Sequence, residues 1–321
     1  MDKKDEKILA ELLKNSRMPF NQLGRKVGLS REVVAYRIRK LVEQNIIAHF
    51  YPIINLEKLG YFRNGCGIQL KGISLAEEKE FFSFITNHPF VTYVGVVVGK
   101  WNVAFDILSR DKNHLKSIIK EILQEGRRHI KNYLVTNSST EQEIYPAKII
   151  GASDRKIRPK DMSLVKLNAI DKKILHLLSE DARADYVELS SKTHLSANAV
   201  KYRIKHLEKL GVIEGYTISI DATKLGYELY NLQLKLDVEL ADEVLKSFLR
   251  AHPRVFYFYK YLGHEQWDVD VGVIAKNSHD LRTILLEFRN ELGVRMEIHD
   301  IYTNVEILKG DVAPQGIFLD T

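Results

Sequence analysis

The sequence predicts an α+β chain in which two winged helix-turn-helix domains alternate with two ferredoxin-like (βαββαβ) domains. Three observations carry this prediction. An early segment recurs in the second half of the chain. Each copy opens with apolar stripes of helical period. Each copy then continues through strand-like and helix-like runs in one order, β-α-β-β-α-β.

The repeat is visible without gaps. Residues 5 to 61 laid on residues 171 to 227 give 21 identical pairs in 57, from Asp5/Asp171 to Leu59-Gly60-Tyr61 against Leu225-Gly226-Tyr227. The correspondence continues through His88-Pro89 and His252-Pro253, Gly99 and Gly263, and Leu115 and Leu281, with small length changes between. A long unit written only twice excludes a solenoid, whose repeats run at roughly 20 to 50 residues.

In the first copy, DEKILAELLKN places Ile8, Leu9, Leu12 and Leu13 on one stripe; DKKILHLLSED repeats it with Ile174, Leu175 and Leu178. A second short helix is predicted over residues 20–28 and 186–194. Leu-Ser follows in both copies, and Ser30 and Ser196 are suited to cap a third helix, their hydroxyls accepting from an orphan backbone N–H. That helix runs to about Asn45 and Gly211. IIAHFYPIINL (46–56) and VIEGYTISIDA (212–222) then read as a short hairpin, the wing. Three helices and a wing make a winged helix-turn-helix.

The second part of each copy starts at GCGIQLKGI (65–73) and YNLQLKLDV (230–238) and ends at HIKNYLVTNSSTEQEI (129–144) and VRMEIHDIYTNVEI (294–307). VTYVGVVVG and VFYFYKYLG are apolar on both faces, so the two sheets are expected to pack on each other or on another chain. The domain boundaries expected are 1–60 and 167–226 for the winged domains, 61–146 and 227–309 for the ferredoxin-like domains, 147–166 for a linker and 310–321 for a tail.

Bulk properties narrow the function. The 321 residues, 45% hydrophobic and 28% charged, are those of a globular chain with real cores. MDKKDEK is too charged for a signal peptide, and no apolar run approaches the roughly 18 residues of a spanning helix, so a cytoplasmic protein without membrane contact is expected. The lone cysteine, Cys66, excludes an internal disulfide and reads as a buried small hydrophobe. A net charge of +6 is a mild excess, so placement of the cations matters more than their sum.

On a helical wheel, Val34, Ile38 and Leu41 share one side of the third helix, as do Val200, Ile204 and Leu207 in the second copy. Glu32, Ala35, Tyr36 and Arg39 lie opposite in the first copy, and Asn198, Lys201, Tyr202, Lys205 and Lys209 in the second, with Arg37 and Arg203 on the flank. An apolar anchor on one face and long donors on the other, behind a capped N-terminus, is what a helix seated in the major groove needs. The expected contacts to double-stranded DNA are Ser30, Arg31, Tyr36, Arg37, Arg39 and Lys40 in the first head. In the second they are Ser196, Asn198, Lys201, Tyr202, Arg203, Lys205 and Lys209.

The pattern D-x-K-I-L … L-S-x-x-x-V-x-Y-R-I-K-x-L-E-x-x-G-V-I-E-G-Y … K-L-G-Y over residues 171 to 227, followed by a ferredoxin-like domain, resembles the Lrp/AsnC (feast/famine) transcription regulators. The resemblance implies DNA binding by the winged helices. It also implies effector binding and oligomerisation by the ferredoxin-like domains, with a small molecule, often an amino acid, held between paired sheets. Both sheets lie in one chain here, so an intrachain pseudo-dimer with two reading heads is expected, together with further homo-oligomerisation. The resemblance places the effector near the turn between the second and third strands, at Gly99, Trp101 and Asn102 and at Gly263, Trp267 and Asp268. The first copy has Asn102 where the family carries an acid, and only Asp268 keeps a carboxylate for an amino group. In the first copy, Asn45 and His49 replace two glycines, which is expected to alter the wing.

Two rival readings exist. Siroheme decarboxylases are similar in architecture, and such an enzyme would hold its anionic macrocycle with groups such as Tyr257, Lys260, His264 and Arg254. A protein-interaction module is the third reading, opposed by the lysines on one face of the third helix. The sequence contains no Gly-rich phosphate loop, no H-E-x-x-H and no nucleophile elbow. Neither an enzyme nor a cofactor or metal is therefore expected.

Overall fold

The computed structural model describes residues 1–136, 141–152, 163–237, 240–261, 266–310 and 313–319. In chain order the first copy forms α1 (Lys3–Lys14), α2 (Phe20–Val27), α3 (Arg31–Glu43), β1 (Ile47–Ile54), β2 (Phe62–Leu70), α4 (Leu75–Asn87), β3 (Val91–Val98), β4 (Val103–Ser109), α5 (Lys112–Glu125), β5 (Ile130–Val135) and β6 (Glu141–Ile144). The second copy forms α6 (Ala169–Glu180), α7 (Tyr186–Thr193), α8 (Ala197–Lys209), β7 (Ile213–Ile220), β8 (Glu228–Leu236), α9 (Asp242–Ala251), β9 (Val255–Lys260), β10 (Val269–Ala275), α10 (Ser278–Leu292) and β11 (Met296–Lys309). The elements gather into two compact units that cut across chain order. Met1–Tyr61 joins Ala152–Lys224 and Val312–Thr321, and Phe62–Gly151 joins Leu225–Asp311. No described helix is long and apolar enough to cross a membrane.

In the first unit the expected hairpins are absent. Each proposed wing is one extended strand, and β1 pairs antiparallel with β7, from Ile47 opposite Ile220 to Ile54 opposite Ile213. Hairpin and long strand share the same local pattern, so only the distant partner distinguishes them. The two heads are further clasped by reciprocal contacts. Arg17 Nη1 donates to Ala182 O at 2.5 Å and lies over the rings of Tyr186 and Tyr216; Arg183 donates to Ser16 O and lies over Phe20 and Phe50. Asn45 leaves the end of α3 like that of α8, while the register of β1 shifts between Ile47 and His49, in the strand where Asn45 and His49 were expected to alter the wing. Asn45 takes the left-handed conformation at φ 55°, as Gly211 does at φ 70°, and both helix ends close alike: Ile46 N donates to Leu41 O and Val212 N to Leu207 O. Asparagine tolerates this region better than other side chains.

In the second unit each copy shows the ferredoxin-like order, β5-β2-β4-β3 and β11-β8-β10-β9. Among the described residues these strands merge, with β6, into one nine-stranded antiparallel sheet rather than two separate ones. The join is made by the last strand of each copy. β11 pairs with β8 from Met296 to Asn304 and with β3 from Thr303 to Lys309, while β6 crosses to pair with β9. Helices α4 and α5 cover one half of the sheet through Phe81, Phe82, Ile85, Ile118 and Ile122; α9 and α10 cover the other through Leu245, Leu249, Ile284 and Phe288. Alternate residues of the strands point the other way. On β8, Leu232 and Leu234 enter the helix-covered core while Asn231 and Gln233 line an interior cavity.

Candidate functional site

The third helices carry the first candidate site. Ser30 Oγ accepts from Val33 N at 3.3 Å and Ser196 Oγ from Ala199 N at 3.2 Å, so both helices start where the two serines place them. Val34, Ile38 and Leu41 are buried beneath α3, and Val200, Ile204 and Leu207 beneath α8. On the outer face Tyr36 is 62% exposed and Tyr202 72%, and Arg31, Arg39, Lys40, Asn198, Lys201, Lys205 and Lys209 are exposed around them. Tyr202 stacks parallel on His206, at 6.4 Å between ring centroids.

Two of the expected DNA contacts point elsewhere. Arg37 Nη1 is 2.7 Å from Asp2 and 2.8 Å from Asp5, and Arg203 Nη1 is 2.9 Å from Asp171. These guanidiniums fasten each third helix to the first helix of its own head, because a flank position meets α1 or α6 before it meets solvent. Asp2 is held down to about 2 by the backbone N–H of Asp5 and then by Arg37. The structure also adds residues that the pattern did not single out. Asn21 and Arg25 of α2 line an open cleft with Ser30 and Arg31, beside the N-terminus of α3. The exposure of Arg25 on the outer face of α2 was the available signal.

The second candidate site is the cavity of the second unit, about 190 Å³ in volume. Its walls are aromatic: Trp101, Phe105 and Tyr93 from the first copy, and Phe256, Tyr257, Tyr259, Tyr261, Trp267 and Tyr302 from the second. Glycine makes room for two of these rings. A Cβ on Gly67 would lie 2.8 Å from the Trp101 ring, and one on Gly272 would lie 2.2 Å from the Tyr257 ring. Polar groups are set among the rings. Tyr93 Oη donates to Asn304 at 2.7 Å, Tyr257 Oη to Asn231, and Tyr261 Oη to Asp270 Oδ2 at 3.0 Å; Arg63 pairs with Asp106 at 3.0 Å. Burial pushes the Asp270 carboxyl up to about 7, the Asp106 charge adding to the rise and bonds from Tyr261 and Gln233 opposing it. Cys66 is buried here, its thiol pushed up by the same desolvation.

The residues expected at the effector turn divide. Trp101 and Trp267 are buried in the cavity wall. Asn102 and Asp268 are not in that wall. Asn102 Oδ1 accepts from Leu70 N and Asp268 Oδ2 from Leu236 N, both at 2.8 Å, so the pair performs one structural task at equivalent strand ends. Asp268 also meets Lys235 at 3.2 Å. Gly99 packs against Tyr302, where a Cβ would come within 2.8 Å, while Gly263 lies outside the described residues. Of the four groups named for a macrocycle, Tyr257 lines the cavity, Lys260 pairs with Asp242, Arg254 approaches Asp280 at 3.6 Å, and His264 lies outside the described residues. Asp106, Asp270, Asn231, Gln233 and Asn304 were missed. Their signal was a polar residue at alternate positions of strands whose two faces both needed cover.

Two capped third helices on apolar seams, in a chain that also folds a ferredoxin-like pair, define a helix-turn-helix regulator class, and comparison with known proteins agrees. Residues 1–42 match the AsnC-type helix-turn-helix domain and residues 167–214 a winged helix-turn-helix DNA-binding domain. The HTH-type transcriptional regulator FL11 of Pyrococcus horikoshii is 34% identical over 122 residues, 38% of this chain and 79% of its own length. LrpA of the same organism is 50% identical over 62 residues, 19% of this chain, and the chain spans only 44% of that relative. The chain belongs to the Lrp/AsnC family, as two Lrp-like units in tandem. Over nearly its full length its fold is similar to the crystal structure of the siroheme decarboxylase NirDL in co-complex with an iron-uroporphyrin III analogue. The TM-score is 0.66 with 15% identity, covering 98% of this chain and 96% of that one.

Proposed function

We propose that the protein is a sequence-specific, DNA-binding transcription regulator that presents two reading heads per chain and responds to a small molecule at its paired ferredoxin-like halves. One observation carries the reading: both third helices turn a basic and tyrosine-bearing face to solvent while a Val/Ile/Leu seam anchors the opposite face. Arg31, Arg39, Lys40, Lys201, Lys205 and Lys209 make no ion pair with any described residue, so their charges remain available to phosphates and base edges. The heads differ in sequence, which suits an asymmetric pair of half-sites. The relatives FL11 and LrpA are HTH-type transcriptional regulators, which supports the same reading.

The test is selection of bound duplexes from random DNA, followed by titration of Arg39→Ala and Lys205→Ala. Each variant is expected to weaken binding, by about 1–3 kcal/mol for a lost base contact or with a salt slope lower by roughly one unit for a lost phosphate contact. Unchanged affinity in both would overturn the assigned face.

The likeness to NirDL gives the enzyme reading its support. Against it stands the cavity chemistry. An anionic tetrapyrrole needs cations, whereas no lysine, arginine or histidine is among the described residues that line the cavity, and two carboxylates are. Siroheme added to the protein is therefore expected to leave its absorption spectrum that of free siroheme.

A further inference from the structure

We propose that the interior cavity binds one small organic cation, an ammonium group on a flat apolar body, seated against Asp270 and Gln233 and enclosed by the aromatic walls. This rests on the regulator reading only for its consequence and names the chemical class of the small molecule.

Two buried acceptors of the cavity lack partners and call for a donor, whereas the buried indole N–H of Trp267 in the same wall is drawn to Asp270. Asp270 is 8% exposed and Gln233 3%, and both line the cavity. Asp270 Oδ1 and Gln233 Oε1 are buried with no hydrogen-bond partner. Both are acceptors, and an unmet buried acceptor is costly, so a ligand that donates recovers what the protein alone leaves unmade. An ammonium offers three donors and a charge opposite to that of Asp270, whereas Asp106 already pairs with Arg63. Aromatic rings around a desolvated cation add further attraction. No basic side chain among the described lining residues can hold a carboxylate, which disfavours zwitterionic amino acids in this cavity and favours amines.

Divergence of the two copies points to a single ligand. Asn231 and Gln233 stand where the first copy has Gly65 and Gly67; Tyr259 and Tyr261 stand where it has Gly95 and Val97; Asp270 stands where it has Ala104. At these positions the second copy carries the larger or more polar side chain, the reverse holding at Asp106 against Gly272, so the cavity is lopsided rather than two-fold.

Trp101 and Trp267 are the only tryptophans of the chain and both line the cavity, so intrinsic fluorescence reports its occupancy. The full chain is titrated with 2-phenylethylamine and tyramine, and with 2-phenylethanol, phenylacetate and phenylalanine as neutral, anionic and zwitterionic controls. At least one amine is expected to quench saturably, with one site per chain by calorimetry, and the controls to bind at least about tenfold more weakly. Asp270→Asn is expected to remove that preference while thermal melting shows it folded. The ligand series needs no variant, so a misfolded Asp270→Asn leaves the test intact. Phenylacetate or phenylalanine binding as tightly as the amines, or no amine altering the fluorescence, overturns the proposal. Failure of amine binding with DNA binding retained sinks the cation site alone. Amine binding without DNA binding sinks the regulator reading alone.

Discussion

Asp270 concentrates the electrostatics of the cavity in one carboxyl. Its folded value of about 7 lies above its ordinary 3.8, so between these values the folded chain binds more protons than the unfolded one. The stability this contributes is fully present below the unfolded value and is lost as pH rises through about 7. The groups facing it are Asp106 on β4, Tyr257 on β9, Tyr261 and Trp267 beside β9 and β10, Gln233 on β8 and Tyr302 on β11. Burial and then the Asp106 charge oppose ionisation, while hydrogen bonds from Tyr261, Gln233 and Trp267 favour it. Replacing Asp270 with Asn is expected to flatten the decline, so that denaturant unfolding shows the variant gaining on the wild type by on the order of 2–4 kcal/mol between pH 5 and pH 8. An identical pH slope in both proteins would mean the carboxyl does not titrate in this window. At this scale the third helices were legible, because a capped, amphipathic helix has a local pattern. Arg37 and Arg203 were misread, because whether a flank cation meets a carboxylate or solvent depends on where α1 and α6 pack.

Among elements, α8 and β1 illustrate how the two copies depend on each other. Lys58 follows β1 in the first copy, is 4% exposed, and its Nζ donates to Leu210 O at 2.8 Å, at the C-terminus of α8. A cation there meets the carbonyls that the helix itself leaves unbonded and the negative end of its dipole. Lys58→Met keeps the stem and removes the charge, and is expected to lower stability by about 1–3 kcal/mol. Lys224, the equivalent in the second copy, is exposed, so Lys224→Met is expected to change the melting temperature little. Equal melting shifts in the two variants would refute the assignment. The strands β1 and β7 were legible as strands, yet read as hairpins, since alternation in a segment does not say whether its partner is adjacent or in the other copy. β11 was likewise visible as a strand, but not as one that serves two neighbours in turn.

On the scale of the whole molecule, the duplicated halves are interlocked. β1 pairs with β7, β11 with β3 and β6 with β9, so every one of these ladders joins one copy to the other. A half alone would expose the edges of β3 or β9, which attract further strands. Residues 1–152 and 163–321 produced as two chains in one cell are therefore expected to copurify as a one-to-one complex on a tag carried by either. Separate elution would show that the ladders do not hold the halves together. The internal repeat, the helical and strand periods and the capping residues were sufficient to establish the elements, their order and the Lrp/AsnC resemblance, because each depends on neighbours within a few positions. The merger into one sheet, the clasp of the two heads, the diversion of Arg37 and Arg203, and the gathering of an acid, an amide and a ring of aromatics into one cavity were set by the folded chain. These depend on contacts between distant residues, and a side chain's local pattern carries no record of what will face it across a sheet.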